Sequence, residues 1–394
     1  MKPLVQRPHM IDPHKFDWLV NPRHGVPGIT ILPTAGFRRA KATITSWPGY
    51  EPTPLLALPS VADVAEVRIK HEGGRFGLGS FKALGGAYAV ANLLTAELSR
   101  RGVASAAAPE HLADGRYRDA TRAITVTCAT DGNHGRSVAW GAERFHCRCV
   151  IFVHETVSQG RVDAIARFGA DVMRVPGNYD DAVHEADKQA SAQNWFVVSD
   201  TSYPGYTEVP RDVMQGYRLM ADEAADQWTG APPTHVFIQA GVGGAAAAVS
   251  IQMRARFTPA PLLVVVEPDQ AACLLASAKR GAPTIVQGDL DTIMAGLACG
   301  EPSLLAWQEL ERAAFAFLSV PDEAAVDCLR FLFAQGHETG ESGVAGLAGL
   351  LLAAADPAAR AALRLTRHSR VLLFGTEGVT DPTVYDSIRR SRQS

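Results

Sequence analysis

The segment THVFIQAGVGGAAAAVSIQMRARF, residues 234–257, decides the fold class of this chain. It opens with a β-branched and aromatic run, turns through three glycines and continues as an alanine-rich stretch of helical length. The next apolar run, LLVVVEP at 262–268, is typical of a second strand. A strand, a helix and another strand in succession predict a β-α-β unit with parallel strands.

The same alternation continues on both sides of this segment. We expect further strands at 65–72, 123–130, 147–154, 171–176, 195–200 and 370–377, and helices at 134–145, 161–170, 179–193 and 212–228. The strands are largely apolar, as in parallel sheets that helices cover on both faces. The chain is therefore predicted to be an α/β protein, with residues 1–45 as an irregular arm rich in Pro, Gly and His.

Composition excludes several classes of function. The 394 residues are 47% hydrophobic and 20% charged, with a formal net charge of −3 and no run of Lys or Arg, which argues against nucleic acid or an anionic membrane as the main partner. The longest nearly apolar run, 343–355, is too short to cross a bilayer and predicts a buried helix. The N-terminus lacks the apolar core of a signal peptide. We therefore expect a cytoplasmic protein that acts on a small molecule.

The six cysteines form no CxxC pair and show no metal-ligand spacing with histidine, so no metal site is predicted. The run CRCVIFV at 147–153 is predicted to be a buried strand. The pattern leaves open whether Cys273 and Cys299 form a disulfide.

A lone lysine, Lys82, stands within the otherwise small or apolar stretch GLGSFKALGG, residues 77–86. If its ammonium group is partly desolvated, its pKa falls, and a neutral amine is a nucleophile toward carbonyl groups. Alternatively, the aliphatic stem packs against the protein while the ammonium reaches water. This stretch alone favours the second interpretation, so the case for a reactive lysine depends on other parts of the chain.

The glycine turn AGVGGAAAA, residues 240–248, follows a predicted strand and opens a helix. The backbone N–H groups around Gly241, Gly243 and Gly244 can therefore bind an anion such as phosphate. The turn also satisfies the pattern G-x-G-x-x-A, and Glu267 ends the next strand, as in a dinucleotide-binding fold. A nicotinamide-dependent dehydrogenase is therefore one alternative, and simple packing of the helix against the sheet is another.

A second turn, TCATDGNHGRS at 127–137, places four polar residues at the start of a predicted helix: Thr130, Asp131, Asn133 and His134. Such a turn can offer donors to a substrate carboxylate, while Asn133 reaches a ring substituent. A carboxylate at Asp131 is repelled beside an anion unless it binds a cation or accepts a proton. The alternative is an Asx turn that only caps the helix.

One cofactor would use all of these features together with the hydroxyl turn LFGTEGVTD at 373–381. Pyridoxal 5'-phosphate binds as a Schiff base on a lysine and also needs an anion site for its phosphate group. We therefore expect pyridoxal phosphate as the cofactor, with Lys82 as the Schiff-base lysine.

The chain also resembles the fold-type II pyridoxal-phosphate enzymes, the tryptophan synthase β and threonine dehydratase group, and within them the diaminopropionate ammonia-lyases. The resemblance extends from about residue 48 to 382. The matching stretches include YEPTPLLAL (50–58), RFGLGSFKALGGAYA (75–89), TDGNHGRSVAWGA (130–142), DTSYPGYTEVPRDVMQGY (200–217), TIMAGLACGEPS (292–303) and GTEGVTD (375–381).

This resemblance implies two doubly wound α/β domains with the cofactor in the cleft between them. The smaller domain would comprise residues 90–202, inserted into a larger domain of residues 1–89 and 203–394. The same group implies a homodimer.

The resemblance further implies roles for individual residues. Lys82 would bind the cofactor covalently, Asn133 would bind the pyridine hydroxyl and Thr376 would face the pyridine nitrogen. The phosphate-binding residues would be Gly241, Val242, Gly243, Gly244 and Ala245. The substrate-binding residues would be Ser80, Thr130, Asp131 and His134.

The implied activity is the α,β-elimination of 2,3-diaminopropionate to pyruvate and two ammonia molecules, with Asp131, Asp200 or the freed Lys82 as bases at Cα. A carboxylate at Asp131 suits a substrate that carries a second ammonium group. The alternative on the same scaffold is a dehydratase for serine, threonine or a hydroxyaspartate-type amino acid. A non-catalytic carrier of the cofactor would need no acid at residue 131.

Overall fold

The computed structural model describes residues 14–59, 61–104, 109–130, 132–177 and 179–390. The strands are β1 (Asp17–Val20), β2 (Leu55–Ala57), β3 (Glu66–His71), β4 (Thr125–Ala129), β5 (Arg148–His154), β6 (Asp171–Val175), β7 (Phe196–Val197), β8 (His235–Gln239), β9 (Leu262–Pro268), β10 (Ala316–Val320) and β11 (Arg370–Gly375).

The helices lie between and around these strands. They are α1 (Thr34–Thr45), α2 (Ala83–Arg100), α3 (Pro109–Ala113), α4 (Arg118–Thr121), α5 (Asn133–Arg144), α6 (Gln159–Ala166), α7 (Tyr179–Gln193), α8 (Glu208–Gln227), α9 (Gly244–Arg256), α10 (Cys273–Arg280), α11 (Leu304–Ala313), α12 (Asp322–Ala334), α13 (Ala345–Ala355), α14 (Pro357–Ala362) and α15 (Pro382–Arg390). Short 3₁₀ helices cover Glu72–Gly77, Asp269–Ala271, Ala295–Leu297 and Ser342–Val344.

The strands form two sheets. The larger sheet has seven strands in the order β1-β10-β9-β8-β11-β3-β2, and the smaller sheet has four in the order β6-β5-β4-β7. The five central strands of the larger sheet and all four of the smaller sheet are parallel. Parallel neighbours need crossover connections, which the helices provide. The α/β class predicted from the sequence is therefore confirmed.

The eight predicted strands are all present, and the one expected at 195–200 is reduced to the two residues of β7. Three strands were not predicted: β1, β2 and β10. The edge strands β1 and β2 pair antiparallel with β10 and β3, so the larger sheet is mixed and not wholly parallel.

The irregular arm expected at residues 1–45 is a wrong prediction for the described part of that segment. It contains β1 and the helix α1, which packs against α8. The buried side chains Phe37, Ala40 and Ile44 recur at helical spacing on one face of α1. This apolar stripe holds the segment as a helix on the rest of the protein.

Close helix packing fixes the position of Lys82, which directly precedes α2. Gly216 on α8 faces α2 so closely that a Cβ there would lie 1.9 Å from the carbonyl oxygen of Leu84. A Cβ on Gly85 would likewise lie 2.4 Å from Cε1 of Tyr217. Any larger residue at these positions would push the two helices apart and move the start of α2.

All four strands of the smaller sheet lie between residues 125 and 197, inside the predicted segment 90–202. The exact domain boundaries remain a prediction. None of the helices in the described ranges combines the length and apolar character needed to cross a bilayer.

Candidate active site

Turns from both sheets line one cavity. Strand β4 of the smaller sheet leads to Thr130 and residues 132–134, while β8 and β11 of the larger sheet lead into residues 241–245 and 376–380. The carboxyl ends of parallel strands are where α/β folds bind ligands. The predicted site residues that line the cavity are Lys82, Thr130, Asn133, His134, Asp200, Gly241, Val242, Gly243, Gly244, Ala245 and Thr376.

Two predicted site residues are not in that set. Ser80 is buried and pairs through its backbone with Glu377, outside the lining of the cavity. Asp131 lies outside the described residues. The substrate-binding roles of both residues remain predictions.

Lys82 is paired with Asp200. Its Nζ donates a 2.5 Å hydrogen bond to Asp200 Oδ2, and about one-fifth of each side chain is exposed. Burial works against both charges, but the Asp200 carboxylate outweighs it and raises the pKa of Lys82. Burial likewise opposes ionisation of Asp200, yet Lys82 holds the pKa of that carboxyl below its usual range. At 2.5 Å the two atoms can exchange a proton directly.

The interpretation in which apolar sequence neighbours lower the pKa of Lys82 is therefore wrong. The apolar surroundings are present, but the deciding carboxylate stands 118 residues further along the chain. It follows β7 of the smaller sheet, whereas Lys82 precedes a helix that packs between α5 and α8.

His134 borders the same pair. Its Nε2 lies 2.8 Å from the carbonyl oxygen of Val198, and because a carbonyl oxygen can only accept, Nε2 carries the proton. Burial lowers the pKa of His134, with the neighbouring charges of Asp200 and Lys82 acting in opposite directions, so the ring is neutral at pH 7. Its buried Nδ1 then holds a lone pair 3.9 Å from Asp200 Oδ2. This nitrogen can take up a proton from the cavity.

The turn after β4 is organised by the Thr130 hydroxyl oxygen, which accepts hydrogen bonds from the backbone N–H groups of Gly132 and Gly135, each at 3.0 Å. Asn133 begins α5 and donates from Nδ2 to Glu377 Oε2 at 2.6 Å, while its Oδ1 accepts from Arg136 at 2.5 Å. The amide group that was predicted to bind the cofactor ring thus lies at the cavity wall, held in one orientation.

The glycine turn after β8 forms an anion site. Gly243 has a backbone φ of +95°, which a residue with a side chain rarely adopts, and α9 begins at the next residue. The first N–H groups of a helix have no acceptor within the helix, and here they open onto the cavity. The positive end of the helix dipole adds to their attraction for phosphate.

Sequence reasoning missed several lining residues. Gln239 ends β8 and donates from Nε2 to the Thr376 hydroxyl at 2.7 Å. Glu377 directly follows Thr376 and also accepts the backbone N–H of Ser342 at 2.9 Å. Tyr217 of α8 packs beside Lys82, whose Nζ lies 5.6 Å from the centre of its ring. Glu377 could have been found in the quoted turn at 373–381, whereas nothing in the local sequence marks Gln239 or Tyr217.

Glu267 does not serve a dinucleotide. It is completely buried, and its two carboxylate oxygens accept the backbone N–H groups of Leu274 and Leu275 at 2.7 and 2.8 Å. Glu267 therefore caps the first turn of α10, and burial raises its pKa to about 8. The nicotinamide alternative loses the acidic residue on which it depended. Cys273 and Cys299 are not joined by a disulfide.

The residues around the cavity fit pyridoxal phosphate. Lys82 supplies an amine for its aldehyde, the first turn of α9 supplies an anion site for its phosphate, and Thr376 supplies a hydroxyl for its ring nitrogen. The buried Nδ1 of His134, which forms no hydrogen bond with the described residues, leaves a polar atom for a bound molecule to satisfy.

Comparisons with known proteins agree with this fit. Residues 46–374 match the family model of pyridoxal-phosphate dependent enzymes. The diaminopropionate ammonia-lyase of Escherichia coli K12 is 41% identical over 354 residues, which cover 86% of this chain and 87% of that protein.

Two crystal structures from Escherichia coli are also similar. The holo diaminopropionate ammonia-lyase superimposes with a TM-score of 0.86 at 36% identity, covering 95% of this chain and 97% of that one. The same enzyme in complex with an aminoacrylate-PLP azomethine reaction intermediate gives a TM-score of 0.85 at 35% identity, with the same coverage.

Proposed function

The chain belongs to the pyridoxal-phosphate dependent enzymes and, within them, to the diaminopropionate ammonia-lyases, and we propose on this basis that it converts 2,3-diaminopropionate and water to pyruvate and two ammonia molecules. The observation that carries the proposal is the Lys82–Asp200 pair, which lies in one cavity with the glycine turn. An amine, a proton acceptor and an anion site are thereby brought together.

Pyridoxal phosphate, when bound, supplies an electron sink for the electron pair left at Cα. Lys82 would hold its aldehyde carbon, the turn from Gly241 to Ala245 its phosphate, and Asn133 and Thr376 its ring. The fixed positions of these residues would hold the cofactor in the cavity and leave Nζ of Lys82 beside Asp200.

The chain's own residues must accept the Cα proton and donate a proton to the departing amino group. Once Lys82 is freed, its Nζ or Asp200 Oδ2 can accept the Cα proton, because the two atoms are already in hydrogen-bond contact. The departing β-amino group needs a proton in return, and the same pair can donate it. His134 Nδ1, 3.9 Å from Asp200, offers a second place for that proton.

The charge of the cavity supports a substrate with two amino groups. Asp200 and Glu377 both line the cavity, and Asp131 is predicted beside it. A carboxylate close to Cβ would attract the second ammonium group of diaminopropionate, whereas the hydroxyl of serine offers no charge to it. A hydroxy amino acid has no second ammonium group for these carboxylates to attract.

The test is to follow pyruvate and ammonia after mixing the purified holoenzyme with D- or L-2,3-diaminopropionate, with serine and threonine as competing substrates. We expect two ammonia molecules for each pyruvate, and a higher kcat/KM for diaminopropionate than for either hydroxy amino acid. A holoenzyme that eliminates water from serine but leaves diaminopropionate unchanged would contradict the proposed substrate and keep the reaction type.

A homodimer in the cytoplasm also belongs to the proposal, on the strength of the family resemblance. The relevant measurement is light scattering on the eluting holoenzyme, with twice the chain mass as the expected result. A monomeric active enzyme would contradict the dimer.

A further inference from the structure

Gln239 holds the hydroxyl group of Thr376. The side chain extends from the end of β8 toward the end of β11, the neighbouring strand in the larger sheet. Its Nε2 lies 2.8 Å from the carbonyl oxygen of Phe374 and 2.7 Å from Oγ1 of Thr376. Both Gln239 and Thr376 are at least 95% buried, so water has little access to this contact.

The orientation of the Gln239 amide follows from its first partner. A carbonyl oxygen can only accept, so the atom that faces Phe374 must be the NH₂ nitrogen and not the amide oxygen. That nitrogen carries two N–H donors and no acceptor. The first N–H goes to Phe374, and the second must go to Thr376.

The direction of the Thr376 hydroxyl follows in turn. Because its oxygen accepts from Gln239, its own proton points elsewhere, and it donates to no other residue in the described part of the chain. Thr376 lines the cavity, which leaves the cavity as the place where its proton finds an acceptor.

We propose that Gln239 is a positioning residue that fixes the Thr376 hydroxyl as a hydrogen-bond donor into the cavity. The inference uses the cofactor placement of the proposed function, in which Thr376 faces the pyridine nitrogen. A donor at that position requires an acceptor, and a pyridine nitrogen accepts only when it is unprotonated. Gln239 therefore sets the protonation state of the ring through Thr376, although it need not touch the ring itself.

The direct test is the ¹⁵N chemical shift of ring-labelled pyridoxal phosphate in the holoenzyme without substrate, which separates a neutral from a protonated pyridine. We expect the wild-type shift to be that of a neutral ring and to stay constant from about pH 6 to 9. A protonated ring in the wild type would overturn the proposal. Because no amino acid is added, the result does not depend on which substrate the enzyme takes.

Gln239→Glu is the informative variant. A carboxyl group can donate at most one hydrogen bond, and the fixed carbonyl of Phe374 takes it, so Thr376 must donate to the new side chain. The hydroxyl oxygen then faces the ring, and we expect the ¹⁵N shift to move toward the protonated value. An unchanged shift in a folded Gln239→Glu holoenzyme would overturn the proposal.

A double-mutant cycle tests the same link if Gln239→Glu does not fold. Gln239→Met removes both donors and Thr376→Val removes the hydroxyl, and we expect each to lower kcat/KM for the accepted substrate by about 10- to 100-fold. If Gln239 acts through Thr376, the double variant is no slower than Thr376→Val alone. Fully multiplicative losses would overturn the proposal.

Discussion

Lys70 and Lys82 are both largely buried lysines that pair with a carboxylate, yet only Lys82 faces the cavity. Lys70, on β3, is inaccessible to solvent. Its Nζ contacts three oxygens: the Thr53 carbonyl at 2.5 Å, Gln227 Oε1 at 3.0 Å and Glu223 Oε2 at 2.7 Å. An ammonium group has three N–H donors, so the hydrogen-bonding capacity of Lys70 is fully used.

Lys82 has a different set of neighbours. Asp200 is the carboxylate to which it donates, while the rings of Phe81 and Tyr217 lie with their centres 5.4 and 5.6 Å from Nζ. Burial lowers the pKa of Lys70 in spite of Glu223 and Glu72 nearby, whereas Asp200 raises that of Lys82. Of the two, the lysine placed for chemistry is therefore the one beside the cavity, and not the one with the lower pKa.

Lys82→Ala should give the largest effect. We expect kcat for pyruvate formation to fall by at least about 10³-fold, because no other amine among the lining residues can hold the cofactor covalently. Because the largely buried Asp200 carboxylate loses its partner, the free energy of unfolding should also fall, and activity is compared per folded molecule. Lys188→Ala, at an exposed lysine of α7, is the matched control and should keep full activity. Substantial activity in Lys82→Ala would show that the reaction does not need the Lys82 amine, and would contradict the proposed role of Lys82.

Lys70→Met should instead reduce stability. Removing one partner of a buried charge network typically costs about 3–5 kcal/mol, and Glu223 would keep Arg75 at 2.7 Å as a second partner, so we expect a value near 3 kcal/mol. Urea denaturation measures the difference, with Lys188→Met expected within about 0.5 kcal/mol of the wild type. The folded fraction should retain its turnover. A stable variant with impaired kcat would show that Lys70 takes part in the site.

The same contrast extends to the acids. Burial opposes ionisation of Glu72, but Arg75 at 2.9 Å pairs with it and its pKa is lowered. Glu341 is almost completely buried next to Glu377, and burial followed by that second carboxylate raises its pKa to about 7. Arg161 and Asp381 also face it and act in opposite directions.

Glu341→Gln should therefore change the pH dependence of stability. An acid whose pKa is higher in the folded state stabilises the fold below its unfolded pKa of about 4.3, and this contribution is lost as the pH rises to about 7. The loss is at most about 4 kcal/mol. Glu267, whose pKa is also raised, causes a loss of stability of the same sign in both proteins. The measured quantity is therefore the difference between the free energies of unfolding of wild type and variant at each pH. Parallel curves would show that Glu341 does not titrate in this range.

Much of the fold follows from local sequence patterns. Central strands such as β9, which is buried beyond its first residue, are largely apolar, and glycines at tight turns mark the anion site. The strand β10 was missed because the apolar run at 314–320 starts with alternating alanines and follows a helix without a turn signal. The edge strands β1 and β2 have only three or four residues, too few to show a period.

Site residues that stand in one recognisable turn were predictable from the sequence, whereas residues that only the sheet topology brings together were not. Asn133 and Thr376 each stand in a recognisable turn. Gln239 reaches Thr376 only because β8 and β11 are neighbours in the sheet, although 137 residues separate the two. The charge state of Lys82 was mispredicted for the same reason, since a distant carboxylate decides it.

Asp200→Asn sharpens the comparison by removing the largest of the influences that raise the pKa of Lys82. We expect turnover to fall about 100-fold, because the site loses a proton acceptor in contact with Nζ. At pH 7, however, more of the Lys82 amine is neutral in the variant, and only the neutral amine attacks an aldehyde. Pyridoxal phosphate should therefore attach to the apo-variant faster than to the wild type, as followed by absorbance after mixing. Asp163→Asn, at an exposed position on α6, should change neither rate. Slower turnover together with slower attachment would mean that Asp200 only shapes the site, whereas slower turnover with faster attachment shows that it holds the charge of Lys82.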